Sequence, residues 1–441
     1  MKGKVALHNL GCKVNAYELE AMQQMLEAAG YQVVPFAPGA DIYIINTCTV
    51  TNIADRKSRQ MLHRARKMNP EALVVAAGCY AQAGKEKVEA DPSIDLIIGN
   101  NMKQNLVQIL EEYKKGGDRR YITDLAHSCS YEELTIRRTA EHTRAYIKVQ
   151  DGCNQFCSYC IIPYARGRVR SRKTREVVRE VEKLAAEGYQ EVVLTGIHLS
   201  SYGIDRKEDG EDLLSLIRNV HQVEGIARIR LGSLEPGIVT EEFVKAISAM
   251  PKVCPHFHLS LQSGCTDTLR RMNRRYTAEE YREKCDLLRR YYENPALTTD
   301  IIAGFPGETE EEFQQTMEFV DSIRFYETHI FPYSRREGPR AADMEGQVPE
   351  PVKKERSHRL IVLGEKNRKA YSEQFLGKTL EVLFEENETI GGISCWVGHT
   401  MEYLRVAVPA QTHLQNRRRN VMLESLQDGQ VLMGKLLQIL H

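Results

Sequence analysis

Short apolar runs alternate with helical patterns at the start of the chain. Four such runs are predicted to be strands, at 4–10, 41–46, 72–77 and 94–99. A helix is predicted to begin at Asn15, because Glu18 stands three residues later as in a capping box, and a polar, basic helix is predicted at 52–68. Strands that alternate with helices are typical of a parallel, doubly wound sheet.

The same alternation continues in the middle of the chain with a longer repeat. Strand-like segments occur at 145–149, 191–195, 227–231, 256–261, 297–303 and 327–332, with helical patterns between them. One of these helices, at 174–188, carries an apolar stripe along one face. Repeated βα units of this kind predict an incomplete α/β barrel.

The pattern changes from helical to β near residue 374. Short strands are predicted at 379–385, 393–397, 403–408, 421–426 and 431–437, which favours a small barrel of the OB type. A charged stretch at 114–142 has no sustained apolar period. The domain boundaries predicted are therefore 1–113, a connector at 114–142, 143–372 and 374–441.

Composition narrows the class of protein. The 441 residues are enough for two to four domains, and 60 basic residues balance 60 acidic ones, which argues against a wholly basic nucleic-acid coat. No apolar stretch approaches the length of a membrane span, and the first residues lack the apolar core of a signal peptide. A cytoplasmic protein is expected, in which eleven cysteines indicate metal or redox chemistry rather than disulfides.

Three cysteines stand close together in the run GCNQFCSYC, at Cys153, Cys157 and Cys160. Three thiolates at this spacing can hold three irons of a [4Fe–4S] cube, whereas electron carriers use four cysteines and structural zinc sites use four protein ligands. The triplet therefore predicts an iron left open for a substrate. The alternatives are unrelated buried thiols, or a zinc loop with a distant fourth ligand.

A second set of cysteines follows three of the predicted strands. Cys12, Cys48 and Cys79 each stand just past a carboxyl end, where sites form in open parallel sheets. They could converge at one edge and hold a second cluster. The alternative for each is a small buried hydrophobic residue.

Both sets of cysteines resemble known family motifs. CxxxCxxC with Tyr159 before the last cysteine resembles the radical S-adenosylmethionine (SAM) signature, and GCKVN, INTCTVT and GCYAQ ahead of it resemble the methylthiotransferase family. The resemblance implies an auxiliary [4Fe–4S] cluster on the first three cysteines and a radical-SAM cluster on the other three. It also implies that the tail is an RNA-binding TRAM domain.

The resemblance further implies a SAM pocket at the strand ends of the barrel. Polar or glycine residues follow several strands there, a location typical of sites in α/β barrels. The residues expected to contact SAM are Tyr159, Thr195, Gly196, Ser233, Glu235, Gln262 and Ile302.

Two basic runs are candidate RNA contacts. RGRVRSRKTR adjoins the cysteine loop, and a phosphate-contacting strip is predicted there, the alternative being a solvated turn. The second run lies in the tail. The arginines predicted to contact RNA are Arg166, Arg168, Arg170, Arg172, Arg417, Arg418 and Arg419.

The family resemblance implies a reaction. It is transfer of a methylthio group to C2 of N6-threonylcarbamoyladenosine at tRNA position 37, with two [4Fe–4S] clusters and SAM. The partners implied are the tRNA anticodon stem–loop and a reductant such as flavodoxin or ferredoxin. The branch is indicated by Thr49-Val50-Thr51, where the isopentenyladenosine branch has serine–isoleucine–arginine. Alternatives are isopentenyladenosine, a ribosomal-protein aspartate, or a non-catalytic iron–sulfur RNA-binding protein.

Overall fold

Two layered α/β units and a β-barrel follow one another along the chain. The computed structural model describes residues 2–127, 130–138, 143–409 and 412–437. The predicted fold class is confirmed: a doubly wound sheet, an incomplete α/β barrel and a small closed β-barrel. Among the described residues no helix is both long and apolar enough to span a bilayer.

The first unit is a six-stranded parallel sheet in the order β2-β1-β3-β4-β5-β6. Its strands are β1 Lys4–Asn9, β2 Gln32–Val34, β3 Ile42–Thr47, β4 Leu73–Gly78, β5 Leu96–Ile98 and β6 Arg120–Tyr121. Its helices are α1 Lys13–Ala28, α2 Asn52–Met68, α3 Cys79–Ala83, α4 Lys85–Glu89 and α5 Leu106–Lys114. Separate apolar clusters cover the two faces of the sheet, as a doubly wound fold requires.

The start of α1 differs from the prediction. Cys12 holds the N-cap position with no side-chain cap, and Asn15 and Glu18 lie inside the helix rather than forming a capping box. Both side chains are buried, because they bond to residues of other segments. The two polar residues that resembled a capping box therefore belong to a buried hydrogen-bond network.

The second unit contains six parallel strands in an open barrel and one short antiparallel strand at its edge. Its strands are β7 Arg144–Asp151, β8 Arg170–Ser171, β9 Glu191–Gly196, β10 Arg228–Leu231, β11 His256–His258, β12 Ala296–Ala303 and β13 Glu327–Pro332. Two sheets, β10-β9-β7-β8 and β11-β12-β13, are joined by single bridges from Ile229 to Val253 and from Leu234 to Leu259. Only β8 pairs antiparallel within these sheets.

Helices cover the outside of this barrel. They are α7 Thr174–Ala186, α8 Leu213–His221, α9 Glu241–Ser248, α10 Thr266–Arg271, α11 Ala278–Tyr291, α12 Glu310–Ile323 and α13 Glu350–Glu373, whereas the short α6 Ile162–Arg166 packs against α3 of the first unit. On β7, Ala145, Ile147 and Val149 join the large core beneath these helices. Because strand side chains alternate, Tyr146 and Lys148 face the inside of the barrel. Helix α1 packs against β7 and β9 and so covers part of the open side.

The tail forms a closed five-stranded barrel in the order β14-β15-β16-β18-β17. Its strands are β14 Thr379–Ile390, β15 Ile393–His399, β16 Arg405–Pro409, β17 Arg418–Gln427 and β18 Val431–Leu436. It lies under the amino-terminal ends of the α/β-barrel strands. There Arg228 of β10 donates to the carbonyls of Glu381 and His399, at 2.9 and 2.8 Å.

Candidate active site at two cysteine triplets

The first cysteine triplet lies at one edge of the doubly wound sheet. Cys12, Cys48 and Cys79 follow the carboxyl ends of β1, β3 and β4. A Cβ atom on Gly11 would lie 2.9 Å from Cβ of Cys48, so the glycine, at φ +108°, lets these two loops approach. The sheet topology therefore brings the three cysteines together, as the strand-end positions predicted.

Burial acts on the thiols of this triplet. Desolvation raises the pKa of Cys48 to about 11, and it raises the pKa of Cys12 although that residue reaches solvent. The Cys79 sulfur accepts from Nε of Arg166 at 3.2 Å and from the amide of Asn100 at 3.6 Å. Iron binding must displace the thiol protons, so these donors favour the thiolate that a metal needs.

Arg166 connects this triplet to the barrel, and it corrects a prediction. The guanidinium is fully buried and donates to Glu18 at 2.9 Å, to Asp151 at 3.1 Å and to Asn15 at 2.7 Å. Glu18 and Asp151 also pair with Lys148 at 2.8 and 2.7 Å. Burial alone would raise the pKa of Asp151, but Lys148 and Arg166 outweigh it and hold that pKa below its ordinary value. Arg166 is therefore an internal ion-pair residue and not an RNA contact.

Two further arginines of the predicted strip are also internal. Arg170 is 1% exposed and donates to the carbonyls of Arg166 and Arg168 at 3.0 and 2.9 Å. Arg172 is 1% exposed and pairs with Glu180. Side chains without access to solvent cannot lie on phosphates, so the predicted strip is wrong for Arg166, Arg170 and Arg172.

The remaining predicted RNA contacts lie at the surface. Arg168 is exposed, with its guanidinium 4.7 Å from the ring centre of Phe156. In the tail barrel, Arg417 and Arg418 are exposed and Arg419 is half-buried. Arg418 also pairs with Glu381 at 3.2 Å. Their contact with RNA stays a prediction.

The second cysteine triplet occupies the loop that follows β7. Cys153 and Cys157 are each 9% exposed, and the amide of Cys160 donates to the carbonyl of Cys157 at 2.9 Å. Desolvation raises the pKa of Cys153 to about 11 and that of Cys160 to about 12. Gly152 enters the loop at φ +71°, and a Cβ there would lie 1.9 Å from the carbonyl oxygen of Arg168. Only glycine fits at that position.

The spacing of the sulfurs tests which metal group each triplet fits. Among the described residues, only His258, Asp300 and His329 bring three ligand atoms within 4.8 Å of one another. Neither cysteine triplet is that tight, so neither is closed around a single ion. A [4Fe–4S] cube binds each thiolate to a different iron and spreads its ligands further apart. Each triplet supplies the three thiolates that such a cube could take while one iron stays open, and its role as a cluster site stays a prediction.

Arg274, which belongs to no sequence motif, lies beside the second triplet. Arg274 donates to the Cys157 sulfur at 3.2 Å and pairs with Oε1 of Glu235 at 2.6 Å. The other carboxylate oxygen of Glu235 bonds to His198. Burial would raise the pKa of Glu235, but His198 and Arg274 together hold it below its ordinary value. Sequence reasoning gave no signal for Arg274, because only the fold brings it to the cysteine loop.

The other predicted SAM residues lie along the carboxyl ends of the strands. Thr195 and Gly196 end β9, and Ser233 is exposed after β10. Gln262 has φ +72°. Its backbone N–H donates to the backbone carbonyl of Asp300, and its backbone carbonyl accepts from the backbone N–H of Ile302, both at 2.9 Å. Tyr159 packs with Ile302 in a small apolar cluster. Their contact with SAM stays a prediction.

Comparisons with known proteins agree with this architecture. A family model described as "Radical SAM superfamily" matches residues 147–320, and one described as "Uncharacterized protein family UPF0004" matches residues 4–99. Threonylcarbamoyladenosine tRNA methylthiotransferase MtaB of Bacillus subtilis (strain 168) is 42% identical over 91% of this chain and 89% of that protein. The tRNA-2-methylthio-N(6)-dimethylallyladenosine synthase of Moorella thermoacetica (strain ATCC 39073 / JCM 9320) is 39% identical over 85% of each chain.

A solved structure shares the fold at low identity. The radical S-adenosylmethionine methyltransferase TsrM from Kitasatospora setae, with cobalamin and a [4Fe-4S] cluster bound, superposes with a TM-score of 0.57 and 18% identity, covering 76% of this chain and 73% of TsrM. Fold and matched models together define a radical SAM protein. The chain belongs to the methylthiotransferase family, as its motifs predicted, and its cofactors are SAM and [4Fe–4S] clusters.

Proposed function

We propose that this protein transfers a methylthio group to C2 of N6-threonylcarbamoyladenosine at position 37 of tRNA, beside the anticodon. The observation that carries this proposal is the 42% identity, over 91% of the chain, to the Bacillus subtilis enzyme named for that nucleoside. The partners are the tRNA anticodon stem–loop and a reductant such as flavodoxin or ferredoxin, in the cytoplasm.

The two cysteine triplets would hold two clusters with separate tasks. Cys12, Cys48 and Cys79 would hold the auxiliary cluster, and Cys153, Cys157 and Cys160 the radical-SAM cluster. When bound, the clusters would supply the electron that cleaves SAM and the sulfur that reaches the base. Residues 1–113 then form the auxiliary-cluster domain, 143–372 the radical SAM core and 374–441 the TRAM RNA-binding domain, with 114–142 as a connector whose residues 120–121 add strand β6 to the first sheet.

The protein's own residues fix the geometry of this chemistry. Arg166 bonds to Cys79 and also to Asp151, which stands two residues before Cys153, so one side chain ties the two triplets together. Arg274 bonds to Cys157 and to Glu235, and so orients a carboxylate beside the second triplet. Helix α1 packs against β7 and β9 and so covers part of the open barrel. Positioning of this kind is what a radical reaction requires of its protein.

Nucleoside mass spectrometry of tRNA from a deletion strain tests the substrate. We expect the methylthio form of threonylcarbamoyladenosine to disappear and to return on complementation. Its persistence, together with loss of methylthio-isopentenyladenosine, would reject the proposal in favour of the activity named for the Moorella relative. The non-catalytic alternative is tested separately, because it predicts no release of 5′-deoxyadenosine on reduction with dithionite.

A further inference from the structure

A polar recess lies inside the open barrel, below the strand ends that carry the predicted SAM residues. His258 of β11, Asp300 of β12 and His329 of β13 place one ligand atom each within 4.8 Å of one another. Asp300 and Ile302 stand two residues apart and therefore face the same side, about 7 Å apart along the strand. Ile301 between them belongs to the outer core. The polar cluster thus faces the barrel interior, one layer below Ile302.

Lys13 reaches this recess from the doubly wound sheet. It follows Cys12 directly, and its ammonium lies 6.0 Å from the ring centre of Tyr146, which faces inward from β7. It also interacts electrostatically with Asp300 on the opposite side of the opening. Lys13 therefore stands between the auxiliary cysteines and the polar cluster.

Phe331 provides an exposed aromatic ring one layer above His329. It pairs in register with Ile302 and is 45% exposed. Thr328, next to His329, faces helix α13, where a Cβ on Gly364 would lie 2.3 Å from Oγ1 of Thr328, so the alternate residues His329 and Phe331 face the interior. Exposed aromatic rings in such positions stack on unstacked bases.

The donors and acceptors of the recess match one class of substituent. Lys13 supplies a cation, and the exposed imidazole of His329 supplies a ring N–H or a ring nitrogen acceptor. Nδ1 of His258 lies 3.0 Å from Oγ1 of Thr298, and its buried Nε2 lies 3.3 Å from Oδ2 of Asp300, so this imidazole positions Asp300 rather than a ligand. Asp300 can accept from a hydroxyl or N–H group. A metal cation is disfavoured by the ammonium of Lys13.

An apolar substituent would be poorly tolerated in the same recess. It would remove water from Lys13 and Asp300 without replacing their hydrogen bonds, which is unfavourable for charged groups. A substituent that carries a carboxylate and hydrogen-bond donors would replace them. An RNA phosphate is a weaker fit, because a flipped base enters such a pocket while its backbone stays outside.

We propose that Lys13 and His329 bind a carboxylate on the substituent of the target base, with Phe331 stacked on that base. The assignment rests on the proposed function, because threonylcarbamoyladenosine carries such a carboxylate and isopentenyladenosine carries none. Lys13 is then a specificity-determining residue. Its charge selects the substrate, whereas the two cysteine triplets serve the reaction whatever the target base.

Binding of RNA to the anaerobically reconstituted protein tests this assignment. Fluorescence anisotropy is measured with anticodon stem–loops that carry threonylcarbamoyladenosine, its methyl ester, isopentenyladenosine or adenosine at position 37. We expect the parent to bind the free acid about 10- to 100-fold more tightly than the ester, the effect of one charge-assisted hydrogen bond. Lys13→Met should bind the acid and the ester equally, and His329→Gln, which adjoins no cysteine in the sequence, should reduce the ratio. Lys115→Met, an exposed lysine after α5, is the matched control and should keep it.

The outcomes separate this assignment from the function on which it rests. A Lys13→Met protein that keeps the preference for the acid overturns the site while the function stands. Equal weakening of all four RNAs in that variant shows a backbone contact and also overturns the site. A parent that prefers the isopentenyl RNA overturns both. Iron content of each variant, measured in parallel, shows that the change next to Cys12 has not emptied the auxiliary site.

Discussion

Nε of Arg166 lies 3.2 Å from the sulfur of Cys79, although the two residues belong to different α/β units. The same guanidinium donates to Glu18 of α1 and to Asp151 at the end of β7. Asp151 stands two residues before Cys153, so one buried side chain contacts a cysteine of the first triplet and a residue next to the second triplet. The relative position of the two triplets is therefore fixed by a buried charge and not by a flexible linker.

Replacement of Arg166 should uncouple the two sites. Arg166→Met leaves Glu18 and Asp151 buried with less compensating charge, which we expect to destabilise the protein by about 3–5 kcal/mol. Loss of the donor to Cys79 should also reduce iron bound at the first triplet. Urea denaturation and iron analysis after anaerobic reconstitution measure the two effects. Arg168→Met, two residues away and exposed, is the control; equal behaviour of both variants would contradict the role of Arg166.

The two triplets should be separable by single substitutions. The parent should bind about eight irons per chain, and Cys48→Ala or Cys157→Ala about four, if each triplet holds one cube. Cys157→Ala should abolish release of 5′-deoxyadenosine. Cys48→Ala should retain part of it while methylthiolation is lost. Cys285→Ala removes a buried thiol outside both triplets and should keep the full iron content. Equal SAM cleavage in Cys157→Ala and the parent would contradict the radical assignment.

Periodicity and spacing predicted most of the fold, and the exceptions have physical causes. The parallel strands of the α/β barrel and the strands of the tail barrel were predicted because their apolar patterns are strong. Strands β2, β6 and β8 were missed because they have three, two and two residues at the edges of their sheets, too few to show a pattern. The two cysteine triplets were predicted because close spacing in one case, and positions after strand ends in the other, are visible in the sequence.

The buried arginines show what a single sequence does not contain. The run RGRVRSRKTR was interpreted as a surface strip, because charge runs are usually solvated. The partner of Arg166 is Glu18, 148 positions away, and no local pattern connects them. Arg274 was missed for the same reason, since its contact with Cys157 spans 117 positions. Pairing between distant charges depends on the fold, and the fold decided which arginines reach the surface.

Salt dependence of tRNA binding should distinguish the surface arginines from the buried ones. Arg417→Ser with Arg418→Ser should weaken binding for all tRNA sequences. The double variant should also make the negative slope of log K against log salt shallower by about 1–2, because each phosphate contact releases about one counterion. Lys366→Ser on α13, whose side chain is 69% exposed, is the control. An unchanged slope in the double variant would remove the tail barrel from the RNA-binding surface.

The junction between the α/β barrel and the tail barrel should be sensitive to acid. Glu191 is fully buried and pairs with Arg144 and Arg230, at 2.7 and 2.9 Å. Burial would raise the pKa of Glu191, but Arg230 and Arg144 outweigh it and hold that pKa well below the ordinary value of 4.5. A depressed folded-state pKa means that this carboxylate stabilises the fold above about pH 4.5 and loses that contribution as the pH falls further.

The matching variant is Glu191→Gln. It should be less stable than the parent at pH 7 by about 3–5 kcal/mol, since two arginines lose their buried partner. The difference between parent and variant should shrink as the pH falls below 4.5. Thermal unfolding followed across that range measures both effects. Glu381→Gln, whose side chain is 38% exposed at the same junction, should show a much smaller difference. A constant gap between Glu191→Gln and the parent at all pH values would contradict this account.

The hydrogen bond that Arg274 donates to Cys157 should raise the reduction potential of a cluster at the second triplet. A cationic hydrogen-bond donor stabilises the more negative, reduced state of a thiolate-bound iron centre, since hydrogen bonds to the sulfurs and net charge set the potential. Arg274→Met should therefore lower the reduction potential and slow release of 5′-deoxyadenosine with a weak reductant, while iron content stays that of the parent. Electron paramagnetic resonance during a redox titration measures the shift directly. Arg275→Met, the exposed neighbour, controls for loss of charge alone. If both variants shifted equally, the effect would come from net charge, and the 3.2 Å contact with Cys157 would have no special role.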